Sequence, residues 1–257
     1  MKSKLIFIGA IVCALLFIGF LSRSLQMRVW EEVNAKQPQL QLKSLEGGLG
    51  QGITIGLLGG FRSLIADGLW LQTNHKWEKS DLPATQTLIK MVTVVDPRPT
   101  YFWINGSRMI AYDMPMWRIE AFGRFEDVPL SIRDRIIREH SLLAVEYLER
   151  ALLHHPQSSI LHFEIATLYQ RKLKDMQKAL EYYRLAALQI DAPFYMGRLY
   201  GEMLRQSGQP EKAYKWLIAL HPSLPRDDIW ALSDLVLEKI RELEGQLNVN
   251  LEERYGP

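Results

Sequence analysis

The 257-residue sequence contains one cysteine, Cys13, so neither an internal disulfide nor a multi-cysteine zinc site can form, and no Cys-x-x-Cys pair offers redox chemistry. It is also short of net charge. Lys and Arg number 31 against 29 Asp and Glu, and the resulting +2 gives no whole-chain field to gather nucleic acid. The sequence has no Gly-x-Ser-x-Gly elbow, His-Glu-x-x-His helix, Gly-x-Gly-x-x-Gly loop or phosphate loop ending in Gly-Lys-Ser/Thr. Acid pairs such as Glu31-Glu32 and Asp227-Asp228 read as surface and capping groups. His154-His155 near His162 lack an acidic or cysteine companion at ligand spacing, so no metal is expected. The expectation is a protein that is not an enzyme and has no cofactor, no nucleic-acid partner and no small-molecule substrate. What is abundant is apolar material, 47% of residues, including 10 tyrosines and 7 tryptophans, enough to build a sizeable core.

The one long uncharged run is Leu5 to Leu21, 17 residues that as a helix would reach roughly 26 Å, close to the hydrocarbon thickness of a bilayer. Its end reads Gly19-Phe20-Leu21-Ser22-Arg23-Ser24, with no Ala-x-Ala pattern for signal cleavage, so residues 1–28 are expected to be an uncleaved signal-anchor. Cys13 lies inside the run and would face lipid. Lys2 and Lys4 on one side, against Arg23, Arg28, Glu31 and Glu32 on the other, place the N-terminus in the cytoplasm and the body outside it, in a periplasmic or other extracytoplasmic space. Residues 29–59 form a linker in which glycines become frequent, seven falling between Gly47 and Gly60. Residues 53–71 are largely apolar, but Arg62 and Asp67 oppose a second span, each costing about 3 kcal/mol in hydrocarbon. A helix from about Gly60 to Lys79 is expected instead.

Residues 60–225 carry a spaced pattern four times: a small residue, an apolar one four later, another three later, and a terminating residue five beyond. The rows are Thr85-Ile89-Val92-Pro97, Ala144-Leu148-Ala151-Pro156, Ala179-Tyr183-Ala186-Asp191 and Ala213-Leu217-Leu220-Pro225, and their starts are separated by steps of 59, 35 and 34. Ser107, Ala166 and Gly201 each lie ten residues after a terminating residue, where a preceding helix would have to approach closely. This pattern resembles the tetratricopeptide repeat, which implies an all-α solenoid of antiparallel helix pairs. The leading Gly60-Phe61-Arg62, Ala66-Asp67 and Trp70 also resemble the opening helix of membrane-anchored bacterial proteins of this kind. Ser131-x-x-Asp134 reads as a capping box, Gly208 with Pro210 as a break between helices, and Asp227 as the cap of a last helix. That last helix, within residues 226–257, repeats apolar groups at Ile229, Leu232, Val236, Ile240, Leu243 and Leu247, as a terminal cap should.

In such an array the first helix of each pair lines a groove. The resemblance implies the face Asp67-Trp70-Asn74-Trp77, Tyr101-Ile104-Arg108-Ala111, Ile160-Phe163-Thr167-Gln170 and Tyr195-Arg198-Glu202-Arg205. The candidate binding residues are thus Trp70, Asn74, Trp77, Tyr101, Arg108, Phe163, Gln170, Tyr195, Arg198, Glu202 and Arg205, whose rings bury area at low entropic cost and whose arginines pair carboxylates. Near 113–130 an insertion interrupts the array. Its Met116, Trp117, Phe122 and Phe125 either cover an end of the core or dock a partner. The expected function is a membrane-anchored scaffold or assembly factor that binds a protein partner in the groove, with a membrane or envelope complex as its setting. The alternative is a permanent structural subunit of a secretion, pilus or respiratory assembly.

Overall fold

A computed structural model describes residues 60–256. The membrane-anchor and glycine-linker expectations, Cys13 and residues 53–59 of the apolar 53–71 stretch lie outside the described residues. Among those described, every regular element is helical, and no helix is long and apolar enough to cross a membrane. There are ten α-helices: α1 (Arg62–Glu78), α2 (Leu82–Val95), α3 (Thr100–Arg108), α4 (Met114–Glu120), α5 (Leu130–Leu152), α6 (Ser159–Leu168), α7 (Met176–Ala187), α8 (Phe194–Gln206), α9 (Pro210–Leu220) and α10 (Ser233–Gln246).

The chain divides into two compact units. The smaller holds residues 60–69 with Val94–Asp96. Within it the Arg62 Nε–H donates to the Val95 carbonyl at 3.2 Å and the Ser63 hydroxyl to Asp96 Oδ2 at 2.9 Å. The larger unit holds residues 70–93 and 97–256.

In the larger unit α6 packs on α7 and α8 on α9 as helical hairpins, and α7 meets α8, so successive pairs stack. The spaced pattern explains why. Of its twelve helix positions, Thr85, Ile89, Val92, Ala144, Leu148, Ala151, Ala179, Tyr183, Ala186, Ala213 and Leu217 are buried, and only Leu220 is half-buried. The small residues of the first helices mark their closest approaches. A Cβ on Gly201 would lie 2.7 Å from Leu217 Cδ2, and one on Gly106 would lie 2.9 Å from both Ile89 Cγ2 and the Tyr147 hydroxyl. The repeat reading of α5 to α9 is therefore a packing fact as well as a pattern.

The two first helices α3 and α6 both end in a five-residue π-helical turn, Met109–Asp113 and Tyr169–Leu173. A π turn accommodates one extra residue in an α-helix. The second turn falls between Ala166 and Ala179, the interval that makes one sequence step 35 rather than 34.

Three local expectations are corrected. The Ser131 capping box does not form, because α5 starts at Leu130, one residue earlier, with Pro129 at the N-cap and no side-chain cap. Asp227 does not cap the last helix, which starts only at Ser233 behind Leu232 in a left-handed conformation (φ +50°). Ile229 and Leu232 consequently fall outside that helix and are exposed, whereas Val236, Ile240 and Leu243 are buried as the apolar repeat requires. Gly208, at φ +75°, does separate α8 from α9, and Pro210 opens α9.

The insertion builds its own small core. Ile119 on α4, Val128 and Ile136 on α5 are buried together, with Met116, Ile132 and Ile137 packed against them. An Arg118–Glu139 ion pair at 2.7 Å links α4 to α5 on the outside.

Candidate protein-interaction face

The first helices α3, α6 and α8 present neighbouring side chains that join them into one face. Arg108 on α3 pairs with Glu164 on α6, a carboxylate only 7% exposed. Phe163 on α6 meets Tyr183 on α7 and Tyr195 on α8 edge to face, with ring centroids 5.8 and 6.1 Å apart. The Tyr183 hydroxyl donates to Gln170 Oε1 at 2.6 Å, and the Gln170 amide donates to Met203 Sδ on α8 at 3.0 Å. The two π turns meet here as well: Lys172 Nζ of one lies 4.2 Å from the centre of the Tyr112 ring of the other. Burial lowers the Lys172 pKa, with Lys174 adding to the effect, and burial followed by the Glu164 charge raises that of Tyr112.

The remaining expected face residues divide by environment. Trp70 lies in the core, its ring against Tyr101 at 5.7 Å and Phe102 at 5.3 Å, and is only 6% exposed. Trp77 is exposed and its indole N–H donates to Asp113 Oδ2 at 2.8 Å, fastening α1 to the first π turn, while Asn74 is half-buried. Tyr101 and Tyr195 are exposed. The arginines are already engaged by the protein. Arg205 forks onto Glu202 through Nε and Nη2 at 2.8 and 2.6 Å, and that hydrogen bond, more than any other influence, holds the Glu202 pKa low. Arg198 Nη1 donates to the carbonyls of Trp230 and Ala231 at 3.0 and 2.6 Å. Of the insertion residues, Met116 and Trp117 are half-buried, Phe125 lies under the Arg133 guanidinium at 4.5 Å, and Phe122 is 64% exposed.

The histidines serve local structure. His154 stacks on Trp103 at 6.0 Å, His155 Nε2 lies 3.0 Å from the Pro97 carbonyl, and buried His162 reaches the Pro156 carbonyl at 3.3 Å. Burial lowers the pKa of His154 and of His162. Among the described residues no group of three or more His, Cys, Asp or Glu is placed to hold a metal ion.

Sequence reasoning missed a cavity of about 250 Å³ between α8 and α10. It is lined by Arg198, Gly201, Glu202 and Arg205 of α8, Leu217 of α9, and Leu235, Val236, Lys239 and Leu243 of α10. Arg198, Glu202 and Arg205 were legible as one face of α8, but their partner wall depends on where α10 begins, which no cap residue announces.

No family model and no curated protein matches the chain. Among solved structures, it is similar to two crystal structures of MamA. One aligns with 77% of this chain and 98% of its own at 12% identity and a TM-score of 0.37, and the other with 69% and 97% at 15% and 0.28. On its own geometry, the larger unit is an array of stacked helix pairs.

Proposed function

We propose that this protein is a membrane-anchored, non-catalytic scaffold or assembly factor that holds a protein partner on the face formed by α3, α6 and α8. The single observation carrying this reading is that face. Three first helices are tied by the Arg108–Glu164 pair and the Phe163–Tyr195 contact into a preorganised surface that still offers Tyr101 and Tyr195 to solvent. Tyrosines on a rigid support bury area at little entropic cost, which favours protein recognition. The apolar run from Leu5 to Leu21 supports the anchor, and the charges flanking it support a cytoplasmic N-terminus with an extracytoplasmic body.

A second reading, a fixed subunit of a larger envelope complex, is favoured by Phe122, a large ring left 64% exposed in an exposed stretch of the insertion. Purification of the tagged full-length protein from its native membrane in mild detergent, with native mass and co-purifying proteins recorded, separates the two. The scaffold reading expects partners at less than equimolar ratio that are released by salt. A stable equimolar assembly supports the subunit reading, and a monomer without any partner overturns both.

A further inference from the structure

The cavity between α8 and α10 combines an apolar floor with a rim of mostly positive charge. Leu217, Val236, Leu243 and Leu235 supply the floor, and Arg198, Arg205, Lys239 and Glu202 the rim. Two of the cations are neutralised nearby, Arg205 by Glu202 at 2.6 Å and Lys239 by Glu242 at 2.7 Å. Arg198 is different. It is half-buried, it donates to two uncharged carbonyls, and no carboxylate among the described residues forms an ion pair with it. A desolvated guanidinium bonded only to neutral acceptors retains the capacity to pair with a carboxylate through its planar fork.

Beside this mouth the chain displays an apolar surface. Ile229 and Trp230 are each 76% exposed on the segment that Arg198 holds through the Trp230 and Ala231 carbonyls, and Asp228 Oδ1 accepts the Trp230 amide hydrogen at 2.7 Å. Leu232 completes the segment in a left-handed conformation that is uncommon for a branched residue. The exposed tryptophan thus stands on a pinned support rather than a loose loop.

We propose that this cavity is a docking pocket for a protein segment in which a bulky apolar side chain is followed or preceded, within three residues, by a carboxylate. The apolar group enters between Leu217, Leu235 and Leu243, the carboxylate meets Arg198 and Lys239 at the rim, and Trp230 covers the flanking chain. The argument is charge complementarity: three cations stand against two carboxylates, Glu202 in the rim and Glu242 beside it, leaving Arg198 with no ion-pair partner among the described residues, and the floor accepts hydrocarbon. This pocket rests on the scaffold reading and adds the chemistry of the partner to it.

The test pans a random dodecapeptide display library against the full-length protein in detergent and measures the enriched peptides by fluorescence anisotropy. The expected peptides share a Leu, Ile, Phe or Met within three residues of an Asp, a Glu or a free C-terminus. Changing that acid to its amide is expected to weaken binding at least tenfold. Lys239→Met and Leu235→Arg are each expected to do the same, while Arg184→Glu on α7 leaves the affinity unchanged, and circular dichroism confirms that each variant is folded. A library that enriches nothing, enriched peptides without an acid, amide analogues that bind equally well, or displacement by decanoate at lower concentration than the free peptide would overturn the pocket. The two failures are distinguishable. If a native partner co-purifies equally with wild type and Lys239→Met, the pocket is wrong and the scaffold stands; if peptides bind as expected and no native partner exists, the reverse holds.

Discussion

Glu244 shows how one residue can decide the acid limit of the fold. It is 1% exposed on α10, yet it accepts hydrogen bonds from Arg241 at 2.9 Å, the Tyr214 hydroxyl at 3.2 Å and the Tyr255 amide at 2.7 Å. Burial alone would raise its pKa, but these donors together outweigh burial and bring it below the usual glutamate value. A carboxylate whose folded pKa is depressed contributes stability that is fully present above its unfolded pKa, and the contribution is lost as pH falls through the lowered folded value. Glu244→Gln should therefore lower stability at pH 7 by about 1–3 kcal/mol, the cost of leaving buried donors poorly paired. It should also flatten the acid limb of stability against pH. Urea unfolding between pH 7 and pH 3 checks both, and a parallel displacement of the wild-type and variant curves across that range would contradict the assignment. The spacing of α10 puts Glu244 four residues after Ile240, on the buried face, and Glu242 on the opposite one; what the spacing does not reveal is the donors that make a charge tolerable there, Tyr214 and Tyr255, the latter folding back to bond both Glu244 and His221.

At the scale of elements, packing was legible and ends were not. The rows of small and apolar residues predicted which positions of α5, α7 and α9 would be buried, since close helix approach permits only small side chains at the contact. Helix starts were less legible because the protein uses Pro129 and a left-handed Leu232 where a serine and an aspartate offered conventional caps. The extra residue in the 35-residue step was visible by counting, but its destination was not: it became the π turn Tyr169–Leu173, which carries Gln170 toward Met203 and Lys172 over Tyr112. Deleting Lys172 should convert that turn to a regular α-helical one. Helix content by circular dichroism should stay within experimental error, while the unfolding free energy falls by about 1–3 kcal/mol as the contacts of the turn are lost. An unchanged urea midpoint would mean that the π turn contributes nothing to joining the first helices.

Across the larger unit, the insertion determines how a test of partnership must be designed. Removing residues 115–125 would take out buried Pro115 and Ile119 and open the small core shared with Val128 and Ile136, so loss of a complex after such a deletion would report unfolding as readily as undocking. The ring that matters for docking is the one the fold does not use. Phe122 is 64% exposed, whereas Phe125 is already engaged by Arg133. Surface substitutions away from packed contacts are usually within ±0.5 kcal/mol, so Phe122→Asp should leave the unfolding midpoint nearly unchanged. If the insertion is an interface in a large assembly, the same substitution buries a charge where a ring had been and should shift the protein from the assembly to the free fraction on native gels, by tenfold or more in the bound-to-free ratio. Ile119→Asp supplies the contrast: it places a charge in a fully buried site and should lower stability severely before any partner is considered. Retention of Phe122→Asp in an intact assembly would remove the insertion from the interface and leave the face of α3, α6 and α8 as the surface on which a partner is held.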